Sequence, residues 1–557
     1  MPLLSPEFSP IANLFQSDLL LRHFLRREAS PDGYVYMYDH LDQLGALAAK
    51  QMTELSMTAD RHSPTLQKRN HYGDTANRIV FHPAYDELMR IAVASGMMRI
   101  KWEPSLRQRF GDERHLLSFA AGFLYAAAES GIYCPLCMTD GIAQLIDRYA
   151  WQSDRDRLLP HIYTNDATQF YTGAMFLTEK SGGSDVGANE VQATHLYDDY
   201  YALNGEKWFC SNADAPLIVA LARTRPDVSG TAGLSIFLIE RTRPDGSPNP
   251  IEVIRLKDKL GVRSMASAEC VFTNTWGKIL GKEGEGFKIM AEMINLSRVY
   301  NSVAAIAAAR RALAEAYRYL QFRTTFGTNA LNHALVRRRL SDLCATYTAD
   351  FYLTFHAIRT LDAAEQGDIK AKQLLRLLTP MLKRQTAQNA VYLVRESMEL
   401  MGGMGYIEDG ILPKLMRDVM VLPIWEGTSN IMILDMLRAS LKSNGLQVMG
   451  EYISDTLARN GLQYLNDEHL QPLVRLWRQL SSGTYSSDIT ENTAQDLFER
   501  LTALYQIAVI CHYTDEQSRP HLQPVLQHLL QRLSNKRDLD LQKAPDRNTV
   551  EAMMGWA

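Results

Sequence analysis

Between Gln169 and about Asn274 the chain changes the rhythm of its apolar residues, and after Glu283 it changes back. On either side, apolar positions recur every three or four residues, as they do along one face of a helix. Inside the interval they come in short alternating or β-branched runs at 200–203, 217–222, 234–239, 251–256 and 269–272. Asn204-Gly205, Pro226, Pro244-Asp245-Gly246 and Gly261 punctuate them with turn chemistry. Short strands with no helix between them predict an antiparallel barrel or sandwich and exclude a doubly wound parallel sheet.

The β block divides the chain. Residues 1–40, rich in Pro, Ser and aromatics, are expected to form an irregular arm, and 41–170 an N-terminal α-helical domain. Within that domain the polar stretch 58–79 is expected to run over the surface as a linker. The β domain takes 171–280. A helical bundle takes 281–444, where Ala309, Leu313, Tyr317 and Leu320 share one face of a long helix. A helical extension takes 445–557, with breaks at Gly445, Gly461, Gly483 and Pro520. The fold class is thus α+β and multidomain, as 557 residues exceed what one core can serve.

Composition removes several function classes. A net charge of −4 and a pI near 6.4 give no general pull toward nucleic acid or anionic lipid. Six cysteines without framework spacing suit a reducing compartment. The N-terminus carries Glu7 and Asp18 where a signal peptide would be apolar, and no run of about 18 uncharged apolar residues occurs. These features predict a cytoplasmic protein with no membrane span. Cys134-Pro135-Leu136-Cys137 has neither a second CxxC nor a His pair beside it, and reads as structural or pocket-lining.

Three stretches carry chemistry. In Leu415–Met432, Trp425-Glu426-Gly427-Thr428 sits past Pro423 and before an apolar helix. A carboxylate between an indole and a glycine, among apolar residues, should resist ionisation, which suits a general base. Gly427 admits close approach of a ligand, and Thr428 and Ser429 lie at a helix N-terminus, where anions are stabilised. The second stretch, LTEKSGGSD at 177–185, bares backbone amides at paired glycines beside Thr178 and Ser184. The third, Lys207-Trp208-Phe209-Cys210-Ser211-Asn212, offers Phe209 as a bed for a flat aromatic cofactor.

With GEKWFCSN at 205–212, Arg323-Thr324-Thr325-Phe326-Gly327, GGMGY at 402–406 and IWEGTSNI at 424–431, these stretches resemble the acyl-CoA dehydrogenase family, in order and over roughly 45–445. The likeness is greatest to its AidB-like branch, flavoproteins of the response to DNA alkylation. Trp425, Asn430, Phe209, Glu399, the 257–264 segment KDKLGVRS and the helical extension point there. The resemblance implies a helical N-terminal domain, a β-barrel and a C-terminal four-helix bundle.

It also implies FAD as cofactor. Thr178 and Ser184 would bond the flavin and its pyrophosphate, Phe209 would pack on the isoalloxazine and Ser211 would sit near N5, with Met175 and Leu177 in the same cofactor set. Arg323 and Phe326 match a pair that reaches the FAD of a neighbouring subunit, which implies a homotetramer. Gly402 and Gly403 would pass the adenosine half, and Trp425, Thr428 and Asn430 would lie near the cofactor. Glu426 matches the catalytic base, taking the α-proton of an acyl-CoA thioester while the β-hydrogen leaves as hydride to flavin N5. Ala334 and Glu399 depart from the commoner pattern, in which glutamines face the cofactor. The rival function is binding of double-stranded DNA with weak dehydrogenase activity. Residues 300–442 hold 18 basic against 13 acidic groups, Arg310-Arg311 and Arg337-Arg338-Arg339 among them, but 445–557 holds 10 against 14.

Overall fold

The computed structural model describes residues 9–484, 487–533 and 547–555. In chain order it begins with α1 (Leu19–Glu28), α2 (Pro31–Ala49), α3 (Gln51–Arg61) and a hairpin of β1 (Thr65–Arg69) and β2 (Thr75–Val80). Helices α4 (Pro83–Ala94), α5 (Arg99–Trp102), α6 (Pro104–Phe110), α7 (Arg114–Ala126), α8 (Ser130–Tyr149) and α9 (Gln152–Ile162) follow. The strands β3 (Gly173–Phe176), β4 (Gln192–Tyr197), β5 (Tyr200–Ser211), β6 (Leu217–Arg223), β7 (Leu234–Glu240), β8 (Ile251–Leu256) and β9 (Ser267–Leu280) come next. The long helices are α10 (Gly286–Phe322), α11 (Ala334–Glu365) and α12 (Ile369–Met401). Then come α13 (Ile411–Val419), α14 (Ser429–Lys442), α15 (Gly445–Arg459), α16 (Gln463–Leu465), α17 (Gln471–Leu480), α18 (Ser487–Tyr513), α19 (Arg519–Leu533) and α20 (Arg547–Met554).

These elements form two compact units, neither continuous in sequence. One gathers residues 50–110 and 128–300, the other the described residues within 1–49, 111–127 and 301–557.

The first unit is organised by a seven-stranded sheet. Its pairings run from β6 through β4, β5, β9 and β7 back to β6, so the sheet closes on itself, with β3 on β6 and β8 on β9. The pairing is mostly antiparallel, but β3 runs parallel to β6, and so does β4 at its one contact with it, Gln192 on Arg223. Strands β6 and β7 explain their own composition. Ile218, Ala220, Ala222, Phe237 and Ile239 enter the core inside the sheet. Leu217, Val219, Leu221, Leu234, Ile236 and Leu238 face the other way and pack with Ile142 and Ile146 of α8 and Ile289 and Met293 of α10. Side chains alternate between faces of a strand, so one covered on both faces must be apolar throughout.

Two expectations change in this unit. The stretch 58–79 is no loose linker: it ends α3 and forms the β1–β2 hairpin. Asn77 locks that hairpin to β8, donating to the Ile251 carbonyl at 2.9 Å and accepting from the Val253 N–H at 3.2 Å. Asn204-Gly205 is no turn either. It lies inside the 12-residue β5 at a register shift, where Gly205 adopts φ +136 and a Cβ would come within 2.9 Å of Val191.

The second unit is all helical apart from the short hairpin at 324–329. Of the expected irregular arm 1–40, residues 1–8 lie outside the described residues, whereas 19–28 form α1 and 31–40 the first half of α2, which runs on to Ala49. Their apolar stripes are deep: Leu20, Leu21, Phe24, Leu25, Met37 and Leu41 are buried, and the Phe24 ring meets Phe351, Phe355 and Tyr513. Asp18 caps α1 and takes the Arg310 guanidinium at 2.7 Å. The alanines of α10 from Ala304 to Ala316 are all buried, and their small side chains let neighbouring helices approach the backbone closely. Asp350, pushed up to about 7 by complete burial, joins α11 to Asn389 of α12 and Gln506 of α18, each at 2.8 Å.

Candidate functional site

The β side is built around a bulge. In β5, Lys207 pairs with Cys270 and Cys210 with Ala268, so Trp208 and Phe209 together oppose the single residue Glu269. Strict alternation would turn Phe209 inward. The extra residue keeps Lys207 and Cys210 buried and leaves Phe209 56% exposed. The Lys257 ammonium stands 3.7 Å from the centre of the Trp208 ring and 4.6 Å from that of Phe209, a cation–π pair held by Glu269 at 2.8 Å. Trp208 donates its backbone N–H to the Thr178 carbonyl at 2.9 Å, which sets the 177–185 segment beside the bulge. Ser211 shares a hydrogen bond with Ser267 at 3.2 Å. Ser184 is exposed, while Met175 and Leu177 are half-buried against the core outside the sheet.

Beneath this surface lies a pair that sequence reading missed. Lys207 and Glu179, both buried, meet at 2.5 Å, and Lys207 also donates to the Leu221 carbonyl at 2.7 Å. The second Glu179 oxygen accepts the N–H groups of Glu190 and Val191 at 2.5 and 3.1 Å. Burial lowers the Lys207 ammonium from its ordinary value, and the Glu179 carboxylate opposes that shift. The two residues belong to the two β motifs, but nothing in a sequence shows that positions 28 apart will meet.

The helical side is built around a turn. The chain leaves α13, passes Pro423 and reaches α14 through Trp425, Glu426, Gly427 and Thr428. Glu426 is half-buried at φ +57, a left-handed conformation that costs a non-glycine residue about 1–2 kcal/mol. Gly427 follows at φ +103, and a Cβ there would lie 2.6 Å from Met432. Trp425 donates its backbone N–H to Val421 at 3.1 Å and its indole N–H to Oδ1 of the buried Asn301 on α10. From α12, Lys383 reaches the Gly427 carbonyl at 2.6 Å and Gln388 reaches Ser429 at 3.1 Å. Thr428 and Asn430 are exposed at the start of α14.

Gly402 and Gly403 follow α12, where a Cβ added to either would meet nothing within 4 Å. Arg323 is half-buried, and Phe326 is 97% exposed at the hairpin tip with φ +48. Taken separately, the β surface offers an exposed aromatic ring with hydroxyls near it, which suits a planar cofactor, and the helical unit offers bare glycine backbone and a helix N-terminus, which suit an anionic group.

Three family models match the chain in succession. They are the adaptive response protein AidB N-terminal domain over 5–166, the acyl-CoA dehydrogenase middle domain over 174–275 and the acyl-CoA dehydrogenase C-terminal domain over 284–441. The chain is 33% identical to the putative acyl-CoA dehydrogenase AidB of Escherichia coli K12, over 78% of this chain and 79% of that protein. It belongs to the acyl-CoA dehydrogenase family. Acyl-CoA dehydrogenase family member 11 of Caenorhabditis elegans is 31% identical over 80% of this chain and 73% of its own length. The crystal structure of that organism's ACDH-11 in complex with C11-CoA superposes with a TM-score of 0.86 at 27% identity, covering 97% of this chain and 94% of that one.

Family membership supports the general dehydrogenase reaction, and members of the family are FAD-dependent flavoproteins. Among the described residues no helix is long and apolar enough to cross a membrane, and no cluster of His, Cys, Asp and Glu could hold a metal. Cys134 and Cys137 lie on α8, half-buried and buried. One expectation is corrected: Arg310 and Arg311 offer no surface to DNA phosphates. They are 7% and 4% exposed, on Asp18 at 2.7 Å and on Glu315 at 2.8 Å. Both sit on the buried middle stretch of α10, where a guanidinium persists only with a partner. Arg339 is committed to Glu396 at 2.5 Å, so Arg338 is the exposed member of its run.

Proposed function

We propose that this chain is an FAD-dependent acyl-CoA dehydrogenase in which Glu426 takes the α-proton of an acyl thioester. The observation that carries the reading is the turn itself. A carboxylate is held in a costly backbone conformation, fastened by contacts from α10 and α12, and flanked by a glycine that admits a ligand. Strain of this kind survives where the surroundings over-determine it, as at working sites. Bound FAD supplies the hydride acceptor that oxidation of a carbon–carbon single bond to a double bond requires. The chain's residues do the rest. Phe209, Ser211, Thr178 and Ser184, with Met175 and Leu177, are assigned to holding the cofactor, and Gly402, Gly403, Thr428 and Asn430 are assigned to it as well. Trp425 walls the acyl channel with more bulk than the usual Tyr and, through Asn301, cannot swing away. Glu426 accepts the proton and keeps it until product leaves. The thioester bound to the C. elegans relative supports an acyl-CoA as the ligand class.

The reading extends to assembly. Phe326 stands 97% exposed on its hairpin, which suits contact with a neighbouring copy, and we assign Arg323 and Phe326 to the FAD of a second subunit in a homotetramer. Light scattering of the holoprotein tests this, and a stable monomer with full FAD would contradict it. The function is tested by anaerobic titration of the purified yellow protein with straight-chain acyl-CoAs of increasing length, following flavin absorbance. Bleaching by some chain length is expected. A colourless protein that cannot be reconstituted with FAD, or a flavin bleached by none of them, would sink the reading.

A further inference from the structure

Lys383 lies on α12, only 1% exposed, and its ammonium reaches the carbonyl oxygen of Gly427 at 2.6 Å. Lysines are almost never buried this completely, because an ammonium stripped of water must recover its hydrogen bonds from the protein. The bond falls one residue beyond Glu426, on the peptide that joins Gly427 to Thr428. On the other side the Trp425 N–H, in the peptide that joins Ile424 to Trp425, donates to the Val421 carbonyl at 3.1 Å, so the short stretch that carries Glu426 at φ +57 is fastened one residue before it and one residue after it. Further along α12, Gln388 reaches Ser429 at 3.1 Å, and the same helix thus grips the turn at a second point.

Released from these bonds, a glutamate in the left-handed region has a lower-energy alternative with negative φ. That alternative swings its side chain through a large angle. A base that must meet one particular carbon cannot tolerate such a swing, since a displacement of about 1 Å at a reacting group costs about a hundredfold in rate.

We propose that Lys383 is the positioning residue for Glu426. Its ammonium fixes the Gly427 carbonyl, the anchored Gly427 keeps the turn that places Glu426 in the left-handed conformation, and the carboxylate stays where it can take the proton. The inference rests on the reading of Glu426 as base and adds what keeps that base in place. Lysine serves better than a neutral donor here because its longer, charged arm crosses from α12 and bonds a carbonyl more strongly than an amide would.

The test compares Lys383→Met and Lys383→Arg with the parent holoprotein, using undecanoyl-CoA under anaerobic conditions. Lys383→Met is expected to keep its flavin absorbance and to bind the thioester within about threefold of the parent. Flavin reduction at saturating thioester should fall about tenfold to a hundredfold, and Lys383→Arg, which keeps the charge and the donors, should recover most of it. A merely structural lysine would lower thioester affinity, cofactor content and rate together, and that pattern overturns the proposal, as does an unchanged rate. If Lys383→Met does not hold FAD, Lys383→Gln is read by the same criteria. If no acyl-CoA bleaches the parent flavin, the base reading falls by itself, and the crystal structure of Lys383→Met then decides this inference. A changed φ at Glu426 upholds it; an unchanged turn overturns it.

Discussion

Phe209 and Glu426 are both presented by an irregularity in an otherwise regular stretch, and the two irregularities are secured differently. Phe209 rides a bulge in β5, one extra residue between Lys207 and Cys210, and its own backbone needs no unusual angle. Underneath, Lys207 and Glu179 are buried at 2.5 Å from each other and tie β5 to the segment after β3. Glu426 instead occupies a left-handed backbone position, and its fastenings come from side chains on distant helices, Asn301 on α10 and Lys383 on α12. The bulge is secured by charge in its own foundation. The turn is secured by neighbours that could be removed one at a time. Aromatic stacking tolerates small displacements of the ring and needs mainly a flat, uncovered face. Proton abstraction depends on a fraction of an ångström, and the strained, clamped backbone is found where that demand is made.

If the buried pair is the foundation of the β side, breaking it should be the most damaging single change. Lys207→Met strands the Glu179 carboxylate and should cost about 3–5 kcal/mol. A steep fall in midpoint on chemical denaturation, with loss of bound FAD, is the expected outcome. A variant that unfolds within about 1 kcal/mol of the parent would show the bulge standing without its pair. On the helical side Glu426→Gln should act on chemistry and spare the fold, keeping yellow FAD while acyl-CoA-driven flavin reduction drops about a hundredfold, near 2.7 kcal/mol of barrier. Equal rates in stopped-flow traces would remove Glu426 from the base role. The smallest and most discriminating change is Glu426→Gly. Glycine adopts φ +57 freely, so relief of strain should exceed its extra chain entropy and raise stability by about 0.5–1 kcal/mol while activity disappears. A lower melting temperature would mean that the Glu426 side chain contributes packing that outweighs its backbone cost.

Much of the architecture was legible because period is a local property. The change of rhythm at Gln169 and its return after Glu283 located the β block, and every apolar run named there lies within a strand. The turn signals were less dependable. Asn204-Gly205 became a bulge because Val191 packs against the glycine, and the polar 58–79 stretch became a hairpin because Asn77 could bond the edge of β8. The first forty residues misled through their prolines and serines, whereas Leu20, Leu21, Phe24 and Leu25 already carried a helical stripe. Charge was read least well. Arg310 and Arg311 look like a basic patch in one dimension, and only their burial on Asp18 and Glu315 withdraws them from solvent.

The sequence by itself determined which residues could do chemistry here: the carboxylate of Glu426 between an indole and a glycine, the aromatic of Phe209 and the paired glycines at 182–183 and 402–403. Residue type and near-neighbour spacing suffice for that, because a side chain's functional groups do not depend on the fold. The tertiary structure alone decided how those groups are held. Lys207 lies 28 residues from Glu179, Lys383 lies 44 from Gly427 and Asn301 lies 124 from Trp425. Contacts over such separations are made only when independent elements pack, and burial then turns an ordinary ion pair or amide into a clamp by removing the water that would compete for it.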